Sequence, residues 1–66
     1  MRLTINGEAS EWLADTNLPA VFARLGLQGR RVAVAVNGGV VPRALRNLFV
    51  LNADDRIEIL TLAGGG

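Results

Sequence analysis

Acid–base chemistry in this chain could rest only on Glu8, Glu11, Asp15, Asp54, Asp55 and Glu58, or on a chain terminus, because it contains no His, Lys, Cys or Tyr. Its one serine, Ser10, has no imidazole or lysine to activate it. Without Cys or His the common zinc and haem ligand sets cannot be assembled. Asp54 and Asp55 are adjacent carboxylates that read as a solvated turn, since two such groups alone do not make a coordination shell. No bound metal or cofactor is expected. Seven arginines, at positions 2, 24, 30, 31, 43, 46 and 56, supply fixed positive charge, but they are scattered and the net charge is only +1. That pattern does not point to nucleic acid as a partner. A stand-alone enzyme is not what this composition suits.

The remaining chemical handle is the end of the chain, Ala63-Gly64-Gly65-Gly66. A free α-carboxylate is ionised at neutral pH and is a poor electrophile until a leaving group is attached. Glycines, lacking Cβ atoms, form the narrowest chain that could deliver such a group into a deep channel. Taken alone, the same three glycines read equally well as a frayed end.

The elements that would position this tail can be read from hydrophobic periodicity. Sixty-six residues, half of them hydrophobic and 20% charged, make one small globular domain. Arg2 to Asn6 alternates polar and apolar, and Asn6-Gly7 is a type I′ hairpin signal, so Ala9 to Leu13 should return as an antiparallel strand with Trp12 packed at the core edge. Asp15, Thr16 and Asn17 precede Pro19 as helix-start residues, and Gly26 stops the helix. Between them Leu18, Val21, Phe22 and Leu25 form one apolar stripe that should face the sheet, leaving Arg24 towards water. Arg31 to Val36 reads as a buried strand, and a second Asn-Gly pair, Asn37-Gly38, turns it back through Gly39 to Val41. Ala44 to Leu51 is expected to be a helical turn or irregular loop with Leu45, Leu48 and Phe49 inward. Arg56 to Leu62 alternates again, with Ile57, Ile59 and Thr61 on one face and Glu58, Leu60 and Leu62 on the other. Leu60 and Leu62 could either cover a second sheet face or dock a partner. The order implies an α+β domain with one helix crossing a mixed sheet of four to five strands. The sequence has no signal peptide and no stretch long enough to span a membrane, so a cytoplasmic location and no membrane partner are expected.

The hairpin around Asn6-Gly7, the segment VAVAVNGGVVPR from Val32 to Arg43, the acidic turn ADDRIEIL from Ala53 to Leu60 and the terminal AGGG together resemble the ThiS family of sulfur carrier proteins. The likeness runs along nearly the whole chain. It departs from the family pattern at Gly39, where a polar or acidic residue is common, and at Ala44, where a bulky one is. The resemblance implies a ubiquitin-like β-grasp domain over residues 1–63 and a flexible glycine tail over residues 64–66. It implies that Gly66 is the covalent carrier, that Gly64 and Gly65 thread a partner's active site, and that Leu60 and Leu62 are candidates for the partner interface. A ThiF-like adenylating enzyme would consume ATP to activate the Gly66 carboxylate. A cysteine desulfurase relay would supply sulfur to give a thiocarboxylate, and a ThiG-like thiazole synthase would receive it for the thiazole ring of thiamine. The alternatives are a MoaD-like carrier for molybdopterin synthesis and a non-covalent ubiquitin-like interaction or RNA-binding module.

Overall fold

The computed structural model describes residues 1–62. Five strands, β1 (Arg2–Ile5), β2 (Glu8–Glu11), β3 (Val32–Val36), β4 (Gly39–Val40) and β5 (Arg56–Thr61), form one mixed sheet in the order β2-β1-β5-β3-β4. Helix α1 (Leu18–Leu25) packs across it, and a 3-10 helix (Arg43–Leu48) leads back towards β5. β1 and β5 are parallel neighbours, whereas β1 with β2, β3 with β4 and β3 with β5 are antiparallel. The last strand therefore lies in the middle of the sheet, hydrogen-bonded on both sides.

Both hairpins turn as their Asn-Gly pairs require. Asn6 and Gly7 have φ of 50° and 85°, and Asn37 and Gly38 have 51° and 83°, the two consecutive left-handed residues of a type I′ turn. β2 is shorter at its far end than the alternation suggested: it stops at Glu11, and Leu13 lies outside the ladder and exposed.

The helix spans the residues its signals indicate. Asn17 caps it, its Oδ1 accepting from the Ala20 N–H at 2.9 Å. Gly26, at φ 71°, ends it by donating to the Ala23 carbonyl, while the Leu27 N–H reaches the Phe22 carbonyl at 2.8 Å. That pair of bonds is a Schellman closure, and the side chains of Phe22 and Leu27 pack partly buried against the core as such a closure favours. Leu18 and Val21 are buried, Phe22 is half-buried, and Leu25 is already turning into solvent.

The core lies between α1 and one face of the sheet. Leu3, Ile5, Val32, Val34, Val36, Ile57 and Ile59 point into it from the strands and meet Leu18, Val21, Val41 and Leu51, with Trp12 at its border. The 3-10 helix corrects one expectation. Leu45 and Leu48 are 54% and 83% exposed rather than inward. In a 3-10 helix residues three apart eclipse, so Leu45 and Leu48 share the solvent face while Arg46 and Phe49 share the inner one. Phe49 is the expected inward residue that does pack on the core. The segment after it is tied to the helix start, with Leu18 N–H to Phe49 carbonyl at 3.1 Å and Leu51 N–H to Thr16 carbonyl at 3.0 Å.

Candidate functional site

The last strand, β5, is held from both flanks. Main-chain bonds from Thr4 N–H to Asp55 carbonyl (3.0 Å) and Asn6 N–H to Ile57 carbonyl (2.9 Å) join it to β1. β1 then turns away at Asn6, which would leave the β1-facing amide and carbonyl of buried Ile59 without partners. The Asn6 side chain takes their place. Its Oδ1 accepts from Ile59 N–H at 2.8 Å and its Nδ2 donates to Ile59 carbonyl at 3.1 Å, extending the parallel ladder by one step.

Asn37 does the equivalent on the other flank. Its N–H donates to the Arg56 carbonyl at 2.8 Å, and its side-chain Oδ1, in place of its own carbonyl, accepts from Arg56 N–H at 2.9 Å. Its Nδ2 donates to Asp55 Oδ1 at 2.9 Å, and Asp55 Oδ2 accepts from Asn52 N–H at 2.8 Å. Asp55 is thus buried and structural, 9% exposed, whereas Asp54 sits in solvent at φ 68°. The expectation of a solvated turn holds for Asp54 and fails for Asp55. Both Asn-Gly pairs read as turn chemistry, and nothing in their local spacing indicated that each amide also grips the last strand.

Beyond β5, Leu62 N–H donates to Arg31 carbonyl at 2.9 Å. Gly64, Gly65 and Gly66, the residues expected to form the tail and carry the cargo, lie outside the described residues, as does Ala63. Leu60 and Leu62 are 66% and 46% exposed, so neither is a core residue. Leu60 stands on the sheet face that carries no helix, opposite Ala33, and the neighbouring pair Ala35 and Val40 continues this apolar surface. Glu58 and Arg56 bound it along the same strand.

At the end of the sheet where β5 finishes, Leu62 and Val32 line a cleft of about 140 Å³ with Arg30, Arg31, Arg43 and Arg46. Arg46 is half-buried. Its Nη2 donates to the Val32 carbonyl at 2.7 Å, and its Nε is buried without a partner among the described residues. The arginines that are scattered in sequence are therefore gathered here, four of the seven at one point. Only the adjacency of Arg30 and Arg31 hinted at this.

On the far side of the molecule Arg24 is exposed as expected, yet its guanidinium lies 4.1 Å from the centroid of the Trp12 ring and its Nη1 donates to the Glu11 carbonyl at 2.9 Å. Ser10 Oγ accepts from Trp12 Nε1 at 2.7 Å, which gives this serine a structural partner. Among the described residues no three of His, Cys, Asp or Glu gather into a metal-binding group. No helix among them is long and apolar enough to cross a membrane.

Chains of this kind are found in thiamine-related proteins. The sequence is 36% identical over 66 residues to a thiazole synthase of Paramagnetospirillum magneticum and 38% identical over 66 residues to that of Magnetococcus marinus. It covers all of this chain and about 20% of each of those proteins, so it spans only a fifth of their length. The crystal structure of the thiamine biosynthesis protein ThiS from Geobacter metallireducens superposes with a TM-score of 0.83 at 30% identity, covering 100% of both chains. The β-grasp arrangement of five strands and one helix is common to both, and the ThiS family profile matches residues 3–66. The chain belongs to the ThiS family.

Proposed function

We propose that this chain is a sulfur carrier for formation of the thiazole ring of thiamine, a protein co-substrate rather than an enzyme. The Gly66 carboxylate attacks the α-phosphate of ATP in the active site of a ThiF-like adenylating enzyme, releasing pyrophosphate and leaving an acyl adenylate. A persulfide supplied through a cysteine desulfurase relay then attacks the acyl carbon as AMP departs, and a partner thiol cleaves the S–S bond of the resulting acyl disulfide, becoming part of a new disulfide and releasing the thiocarboxylate. A ThiG-like thiazole synthase accepts that sulfur and regenerates the carboxylate. Gly64 and Gly65 thread the partner's channel, and Leu60 and Leu62 dock on its surface.

The observation that carries this reading is the placement of β5. A family member whose last strand is central, bonded to β1 and β3 and bracketed by Asn6 and Asn37, has a rigid base from which Ala63 to Gly66 continue. The apolar surface around Leu60 lies beside that base, where a docking partner would also receive the tail. Ordering glycines on binding costs on the order of 1 to 2 kcal/mol per residue, which contact over that surface offsets.

Reconstitution with ThiF-type adenylating enzymes, ATP and a sulfur source tests it by intact mass. Replacement of one oxygen by sulfur at Gly66 is the expected product. Activation solely by the molybdopterin-pathway counterpart would move the carrier to that pathway, and no ATP-dependent change with any of them would remove the carrier role.

A further inference from the structure

We infer that the arginine cleft beside the root of the tail is a docking site for an acidic rim on the adenylating partner, an inference that rests on the carrier reading above. Arg30, Arg31, Arg43 and Arg46 line the same cleft, and among the described residues no carboxylate lines either it or the adjoining hollow formed with Phe22, Leu27 and Asn47. The one ion pair among the described residues joins the Met1 amino group to Glu11 on the other side of the sheet. The rest of the chain, three arginines against six carboxylates, is net acidic, so the positive charge is concentrated at this one point.

Like charges gathered within a Debye length repel one another, and the fold uses only one of these four. Arg46 ties the 3-10 helix to β3 through the Val32 carbonyl. Arg30, Arg31 and Arg43 are exposed and their side chains make no hydrogen bond within the described residues, so their five-donor forks are available to an external carboxylate.

The surroundings favour protein carboxylates over a nucleotide. Leu62 forms one wall of the cleft and Leu60, two residues earlier, belongs to the open apolar face. An apolar patch with a charged edge has the layout of a protein interface. An extended tail of four residues past Leu62 reaches up to roughly 13 to 14 Å. With the tail threaded in that extended form into a partner's channel, the phosphates of a nucleotide reacting at Gly66 would lie beyond the cleft, and the guanidiniums would meet the mouth of the channel instead.

The test is the association rate of the full chain with the ThiF-type adenylating enzyme of the same organism, at low and high NaCl, alongside thiocarboxylate formation. Arg30→Glu/Arg43→Glu is compared with Arg2→Glu/Arg24→Glu, which changes charge equally at exposed sites away from both the cleft and the apolar surface around Leu60. The cleft variant should associate about tenfold or more slowly at low salt and approach wild type at high salt. Arg30→Lys/Arg43→Lys, keeping the charge, should recover most of the rate, and melting temperatures should agree. Equal rates for the two charge-reversed variants overturn the inference. So does a wild-type rate insensitive to salt, which needs no variant to fold, and so does saturable binding of inorganic pyrophosphate to these arginines in the isolated chain. A wild type that forms no thiocarboxylate refutes the carrier reading itself, whereas a normally activated wild type with unimpaired cleft variants refutes only the docking site.

Discussion

Replacing Asn6 removes a side chain whose only contribution beyond the hairpin is to complete the pairing of β5. The two bonds it makes to Ile59, at 2.8 and 3.1 Å, are each worth about 0.5 to 1.5 kcal/mol net. Asn6→Gly tolerates the φ of 50° without steric strain, so its loss isolates those bonds: about 1 to 3 kcal/mol, plus a few tenths from added freedom in the unfolded chain. Asn6→Ala loses the same bonds and keeps a Cβ in the left-handed region without the polar side chain that makes it tolerable for Asn, a cost over glycine of up to about 1 to 2 kcal/mol. In a domain of this size each kcal/mol lowers the melting temperature by about 4 to 8 °C. Urea unfolding measures the free energies, and hydrogen exchange at the Ile59 amide locates the effect. The expected order is wild type, then Gly, then Ala, with Ile59 protection lost disproportionately in both variants. An Asn6→Gly protein within about 0.5 kcal/mol of wild type, with Ile59 exchange unchanged, would refute the claim that this amide extends the ladder.

Asp55→Ala should destabilise by about 2 to 4 kcal/mol in denaturant unfolding, because it leaves Asn52 N–H and Asn37 Nδ2 unpaired, while Asp54→Ala should cost mainly the preference for its left-handed turn. Leu60→Asp and Leu62→Asp should each leave the unfolding midpoint nearly unchanged and weaken adenylating-enzyme binding in titration calorimetry by about 1 kcal/mol or more; loss of the fold in both would return them to the core. Deleting Gly66 or appending one alanine shifts the reacting carboxylate by up to roughly 3.3 to 3.6 Å, so thiocarboxylate formation should cease while partner binding and melting temperature persist. Normal thiocarboxylate in both variants would refute the tail mechanism.

Local rules carried the elements a long way. The helix from Leu18 to Leu25, both type I′ turns and the inward face of β5 follow from short-range sterics and from periodicity, which the chain expresses wherever it folds. They misplaced Leu45 and Leu48, because eclipsing at three residues per turn cannot be told from helical spacing in so short a run. Recognition of a candidate carrier tail likewise needed only the order of motifs along the chain. What depended on the tertiary structure was everything that joins distant segments. Asn6 reaches Ile59 and Asn37 reaches Asp55 only because β5 inserts between β1 and β3, so each amide meets backbone that the hairpin alone does not supply. Asp55 is buried for the same reason. Arg30 and Arg31 meet Arg43 and Arg46 because the loop before β3 and the 3-10 helix come together at one end of the sheet, where Val32 anchors Arg46. Charge counted along a chain is an average, and a field is set by which residues the topology brings within a Debye length of one another.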